Sequence, residues 1–93
     1  MAHLSGERVQ IRVDDVVWRE VGDELVVLEL STATYLNLNG TARHLWQLLV
    51  DGSTVQGLVD DLVLKYGISA IQAMADVEAF ISGLSDRNLL MAD

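Results

Sequence analysis

The chain has no cysteine and no proline in 93 residues. Without thiols it can build neither a disulfide framework nor a thiolate metal site, and nothing in it demands an oxidising compartment. Basic residues are scarce: six Lys and Arg stand against 14 Asp and Glu, for a net charge of −8. That balance repels phosphate backbones and acidic bilayer surfaces, so neither nucleic acid nor a membrane is an expected partner. No apolar run approaches the roughly 18 residues of a membrane span, and the head of the chain lacks the basic stretch and apolar block of a signal peptide. A cytoplasmic, non-exported protein is expected. Chemistry is scarce as well. His3 and His44 lie far apart with no partner at metal-ligand spacing, and there is no paired nucleophile and base and no glycine-rich phosphate loop. No cofactor, no metal and no catalysis are expected.

What the chain does have is hydrophobic mass, 51% of its residues. A second core would need roughly another 50 residues, so a single domain over residues 1–93 is expected. The chain divides at Asn39-Gly40 into a strand half and a helix half. Val9, Ile11 and Val13 alternate with Gln10 and Arg12, which suits a half-buried strand. Residues 16–21 are rich in β-branched residues and carry Trp18; Gly22-Asp23-Glu24 supplies a turn, and residues 25–30 form a second run, so the pair reads as a hairpin. After Ser31-Thr32-Ala33, residues 34–38 alternate again. Helices are expected to cover the face of Val26, Leu28, Leu30, Leu36 and Leu38, leaving Trp18, Leu25, Val27 and Tyr35 on the other, for the N-terminal segment or a partner to cover.

In the second half, Asn39 suits an N-cap whose side chain accepts from the Thr41 or Ala42 amide. Ala42, Leu45, Trp46 and Leu49 then repeat at helical spacing to about residue 50, with Trp46 as a core anchor. Asp51-Gly52 ends that helix and Ser53 or Thr54 caps the next. Its stripe of Val55, Leu58, Val59, Leu62, Val63 and Tyr66 closes at Gly67, with Asp60-Asp61 on the solvated face. Ser69 caps a third helix to about residue 87, in which Ala73, Met74, Val77, Phe80, Ile81 and Leu84 fall within about 120° of arc. The apolar tail Leu89-Leu90-Met91 is expected to fold back on the core. The fold class is α+β, a three- or four-stranded antiparallel sheet followed by three helices.

The ordered set Leu38-Asn39, Thr41-Ala42, Trp46, Leu49, Asp51-Gly52, Val55, Leu62, Tyr66, Asp76-Val77, Phe80-Ile81, Leu84 and Leu89-Leu90 resembles the PqqD-like family, covering residues 16–91. Members are peptide chaperones in pathways for ribosomally made, modified peptides. Stand-alone members of this size resemble the leader-peptide recognition proteins of lasso-peptide biosynthesis, which hold the precursor's leader for a separate leader protease and a cyclase. The same motif set serves the pyrroloquinoline quinone branch, where the member is a peptide chaperone for a radical enzyme. The resemblance implies a winged helix-turn-helix-like fold in which the leader adds a strand to the last strand of the sheet and lies in a groove beside the third helix. Carried onto this chain, the contact falls on Thr34, Tyr35, Leu36, Asn37 and Leu38. On the helix the candidates are Ala73, Asp76, Val77, Phe80, Ile81, Leu84 and Arg87.

The residues support that placement independently. Natural edge strands are protected by Lys, Pro, a bulge or an inward charge, and Thr-Tyr-Leu-Asn-Leu has none of these. At an edge it is a template for β-augmentation. The alternative is that residues 9–13 fold back and cover it. On the third helix, Ala73, Asp76, Phe80, Gly83 and Arg87 share a line: small residues for close backbone approach, an apolar anchor, and two charges. The opposite margin, Met74, Ile81 and Leu84, is equally eligible. Acidic residues concentrate in the strand half, which keeps the domain dispersed or steers a basic peptide segment.

Two other readings are weaker on the residues. A DNA-binding winged helix would enter the groove with Asp76, Glu78 and Asp86 against Arg87 alone. An acyl carrier is all-helical, which the strand half excludes, and Asp51-Gly52-Ser53 departs from a carrier's Asp-Ser-Leu.

Overall fold

The computed structural model describes residues 7–92, so His3 lies outside the described residues. Strand β1 spans Arg8–Ile11, and a 3-10 turn at Val13–Asp15 leads into β2, Val16–Val21. Strands β3, Glu24–Glu29, and β4, Thr34–Leu38, complete an antiparallel meander in the order β2-β3-β4. Helix α1 is Gly40–Asp51, β5 is the two-residue Ser53–Thr54, α2 is Val55–Tyr66, α3 is Ala70–Asp86, and β6 is Leu90–Ala92. A second antiparallel sheet has the order β5-β1-β6. The α+β class and the three helices agree with the sequence, but the strands divide between two small sheets of three instead of sharing one.

Strand β1 does not cover β4. Val9 and Ile11 turn into the core, while the alternate residues reach the C-terminal end of α1. Arg8 Nη2 donates to the carbonyl of Asp51 at 3.0 Å and Gln10 Nε2 to that of Val50 at 3.1 Å. Carbonyls in the last turn of a helix have no intrahelical partner and carry the negative end of its dipole, so these donors fit there. On its other side β1 takes the tail: Leu90, Met91 and Ala92 pair with Ile11, Gln10 and Val9. Arg12 donates its backbone N–H to Leu89 O at 2.8 Å. Leu89 is buried, so the tail does return to the core.

The helix boundaries follow their caps. Thr54 Oγ1 accepts from Gly57 N at 2.9 Å, Ser69 Oγ accepts from Gln72 N at 3.1 Å, and Gly67 ends α2 in the left-handed region at φ 66°. At Asn39 the sequence expectation is corrected: its side chain makes no capping bond, and its backbone carbonyl accepts from Ala42 N and Arg43 N. Asp61 keeps 39% of its side chain exposed on the solvated face and also pairs through its carboxylate with His44 Nε2, which ties α1 to α2.

Trp46 is 0% exposed at the centre of the core, with the Trp18 ring edge-on at a centroid distance of 5.7 Å. This contact joins α1 to the meander. Trp46→Ala is therefore expected to cost about 3–5 kcal/mol of unfolding free energy, read as a lower urea midpoint at an unchanged m-value. A midpoint equal to the parent's would show that the Trp46 contact does not carry the core.

Candidate functional site

The geometry of the meander follows from its register. Leu25 lies opposite Leu38, Val27 opposite Leu36 and Glu29 opposite Thr34, and directly opposed residues share a face. Leu25, Val27 and Glu29 are buried, with Trp18, Leu36 and Leu38 packed against the core as half-buried neighbours. The core face of β3 is thus the reverse of the one expected from sequence. Trp18, Leu25 and Val27 face the helices, while Val26 and Leu28 share the outer face with Tyr35. The cause is that residues 25–28 are apolar without a break, so alternation cannot set the phase, and a shift of one residue inverts the strand. On β4, where polar and apolar residues do alternate, the pairing of Leu36 and Leu38 on the core side was correctly anticipated.

The outward edge of β4 is open. Among the described residues its strand partner is β3 alone. Thr34, Tyr35 and Asn37 are exposed, Tyr35 by 66%. Asn37 Nδ2 donates to Glu24 Oε1 at 3.3 Å across the outer face. The edge consequently presents backbone donors and acceptors to solvent, with two half-buried leucines on the core side and Tyr35 and Asn37 on the outer side.

Helix α3 settles which margin is core. Ala73, Val77, Ile81 and Leu84 are buried at 0%, 0%, 6% and 3%. These four expected contacts lie at the centre of the apolar stripe, where α2 packs on α3, so they offer a peptide no accessible surface and instead support the helix from behind. At 100° per residue, Phe80, Asp76, Gly83 and Arg87 form one margin of that stripe. Phe80 and Asp76 are half-buried, and Gly83 and Arg87 are exposed. A Cβ built on Gly83 meets nothing within 4 Å. Met74 lies on the other margin, where it lines a shallow apolar recess with Ala70, Ile71, Ala75 and Glu78.

One residue of this region escapes a reading by sequence. Glu29 looks like the polar end of a strand, yet it is 3% exposed and Arg87 Nη1 donates to its Oε2 at 2.6 Å. Arg87 is thereby placed against the Thr34 end of β3 and β4. A buried carboxylate on the core face and a cation 58 residues later leave no local spacing by which to pair them.

Residues 24–90 match the family described as Coenzyme PQQ synthesis protein D (PqqD), a span from the start of β3 into β6. The solved structure of TbiB1 in complex with the TbiA(beta) leader peptide is 31% identical, with 87% of this chain and 93% of that chain covered at a TM-score of 0.79. A lasso peptide synthetase B1 complexed with its leader peptide shares the fold at 22% identity and a TM-score of 0.78, over 89% of this chain and 96% of that one. No curated protein gives a significant match. The family match across both halves of the fold, together with the first of these structures, shows that this chain belongs to the PqqD family.

Proposed function

We propose that this chain binds the leader peptide of a ribosomally made precursor, taking it as an added strand on β4 with side chains directed toward the Phe80 margin of α3. It presents the bound leader to a separate leader protease and a cyclase in lasso-peptide biosynthesis, and itself makes and breaks no bonds. The observation that carries this reading is the open edge of β4: an unprotected strand with one strand neighbour among the described residues, in a fold whose β1 is engaged elsewhere. Strand addition uses the backbone for affinity and alternate side chains for selectivity. On this chain the core-side side chains of such a strand would meet Leu36, Leu38 and Phe80. The contact set is then Thr34, Tyr35, Leu36, Asn37 and Leu38 on the strand, with Asp76 and Phe80 on the helix margin, while Arg87 at the end of that margin is turned to Glu29 and not to the peptide.

Both similar solved structures are B1 proteins holding leader peptides, which favours the lasso reading over a chaperone for a radical enzyme. A DNA-binding reading is disfavoured by α3, whose Asp76, Glu78 and Asp86 would face phosphates.

The probe for all of this is a synthetic leader peptide, its sequence taken from a short precursor gene sought in the neighbourhood of the gene for this chain. Alternate residues of a strand serve opposite neighbours, so of Leu36 and Asn37 one bonds β3 and the other faces the open edge. Proline placed at each in turn should separate them. The variant whose amide bonds β3 loses cooperative melting, while the other still melts cooperatively, at a lower temperature if it is Leu36 because that side chain packs on the core, and binds the leader at least about tenfold more weakly for want of a donor. Phe80→Ala should weaken binding by a different route, the loss of an anchor, with melting recorded beside it because the ring also packs on the core. If folded variants of both kinds bind as the parent does, the peptide lies elsewhere, with the outer face of Val26, Leu28 and Tyr35 as the next place to look.

Incubation of the purified chain with full-length precursor should leave the peptide mass unchanged, and adding a leader protease encoded with that precursor should release the leader. Cleavage or modification by this chain alone would contradict a purely binding role.

A further inference from the structure

Glu29 is the one buried charged residue among the described residues, its side chain 4% exposed at the end of β3. A carboxylate removed from water is unfavourable unless a cation and hydrogen bonds compensate it. Arg87, immediately after the last residue of α3, is that compensation. The other ion pairs among the described residues, Arg43 with Glu20 and His44 with Asp61, do not involve α3. Glu29 is also the cross-strand neighbour of Thr34, the first residue of β4. The pair therefore ties the end of α3 to β3, next to the first residue of β4.

Three features make this contact a fixed one. Glu29 is buried while the Arg87 side chain is 42% exposed, so releasing Arg87 would leave the carboxylate unpaired away from water, a cost that favours the closed pair. The Arg87 backbone is held by its own N–H to Leu84 O at 3.2 Å, and the following turn by Asn88 N to Ser85 O at 2.9 Å. Leu84 itself is buried, which fixes the turn against the core.

Resting on the leader-binding reading, we infer that Glu29 is a positioning residue for peptide capture. Its buried carboxylate holds Arg87, and with it the last turn of α3, at one separation from the Thr34 end of β4, which sets the width of the groove there. A strand added to β4 lies about 4.8 Å from it, so its core-side side chains have only the space that α3 leaves. Arg87 acts through Glu29 as a spacer. Its charge is matched within the protein and does not select an acidic peptide residue.

The test uses the full chain and a fluorescein-labelled copy of the same synthetic leader, with anisotropy titration well below the melting temperature of each variant and a melt recorded for each. Glu29→Gln keeps the shape and removes the charge; it should melt cooperatively and bind about tenfold more weakly. Arg87→Lys, which keeps a cation, should stay within about threefold of the parent, whereas Arg87→Met should lose as much as Glu29→Gln. The double variant Glu29→Gln with Arg87→Met should be no weaker than the weaker single one, since both remove the same contact. A merely structural pair would lower the melting temperature and leave these affinities unmoved. Parent affinity in folded Glu29→Gln overturns the inference. Should that variant not fold, equal affinities of folded Arg87→Lys and Arg87→Met overturn it instead. A parent chain that does not bind the leader at all brings down the leader-binding reading itself, an outcome distinct from the loss of Glu29's role.

Discussion

The arrangement depends on where β1 is held. A meander of three strands has two edges, and a short alternating strand at the start of the chain is the natural candidate to close one of them. Here Val9 and Ile11 are buried on the helical side, Arg8 and Gln10 bond the terminal carbonyls of α1, and both edges of β1 are occupied by β5 and β6. Moving β1 onto β4 would expose two core side chains and break all of these bonds. The free edge of β4 is thus maintained by packing elsewhere in the molecule.

The helices are fixed against the meander and against one another. Trp46 against Trp18 fastens α1 to the meander, the buried row of α3 packs with α2, and Glu29 with Arg87 joins the end of α3 back to β3. The margin of α3 left beyond its buried row carries Phe80, Asp76 and Gly83, an apolar ring flanked by a carboxylate and a position without a side chain. On the proposed reading, an extended peptide carrying a few apolar side chains would pack on that margin.

Much of this was legible in the sequence where a local rule operates. The caps Thr54 and Ser69, the stop at Gly67 and the stripes of α1 and α2 are short-range features, and each is found where its spacing places it. The unprotected character of Thr34–Leu38 was also readable, because edge protection is a matter of residue type. The face of β3 was not, since an uninterrupted apolar run carries no phase and only the register with β4 supplies one. The core side of α3 was hidden for a similar reason: its apolar stripe is wide enough that centre and margin look alike until α2 is in place. The pairing of Glu29 with Arg87 and of His44 with Asp61 joins elements distant along the chain, and no local pattern reports it.

The central claim is that the peptide adds to β4 as a strand. Backbone amide hydrogen exchange, resolved by residue with and without the synthetic leader, tests it most directly. The account predicts that alternate amides within Thr34–Leu38 gain strong protection on leader addition, with smaller gains along the Phe80 margin of α3. Protection that appears on the outer face of the meander or in the β5-β1-β6 sheet, with Thr34–Leu38 exchanging as in the free protein, would contradict it.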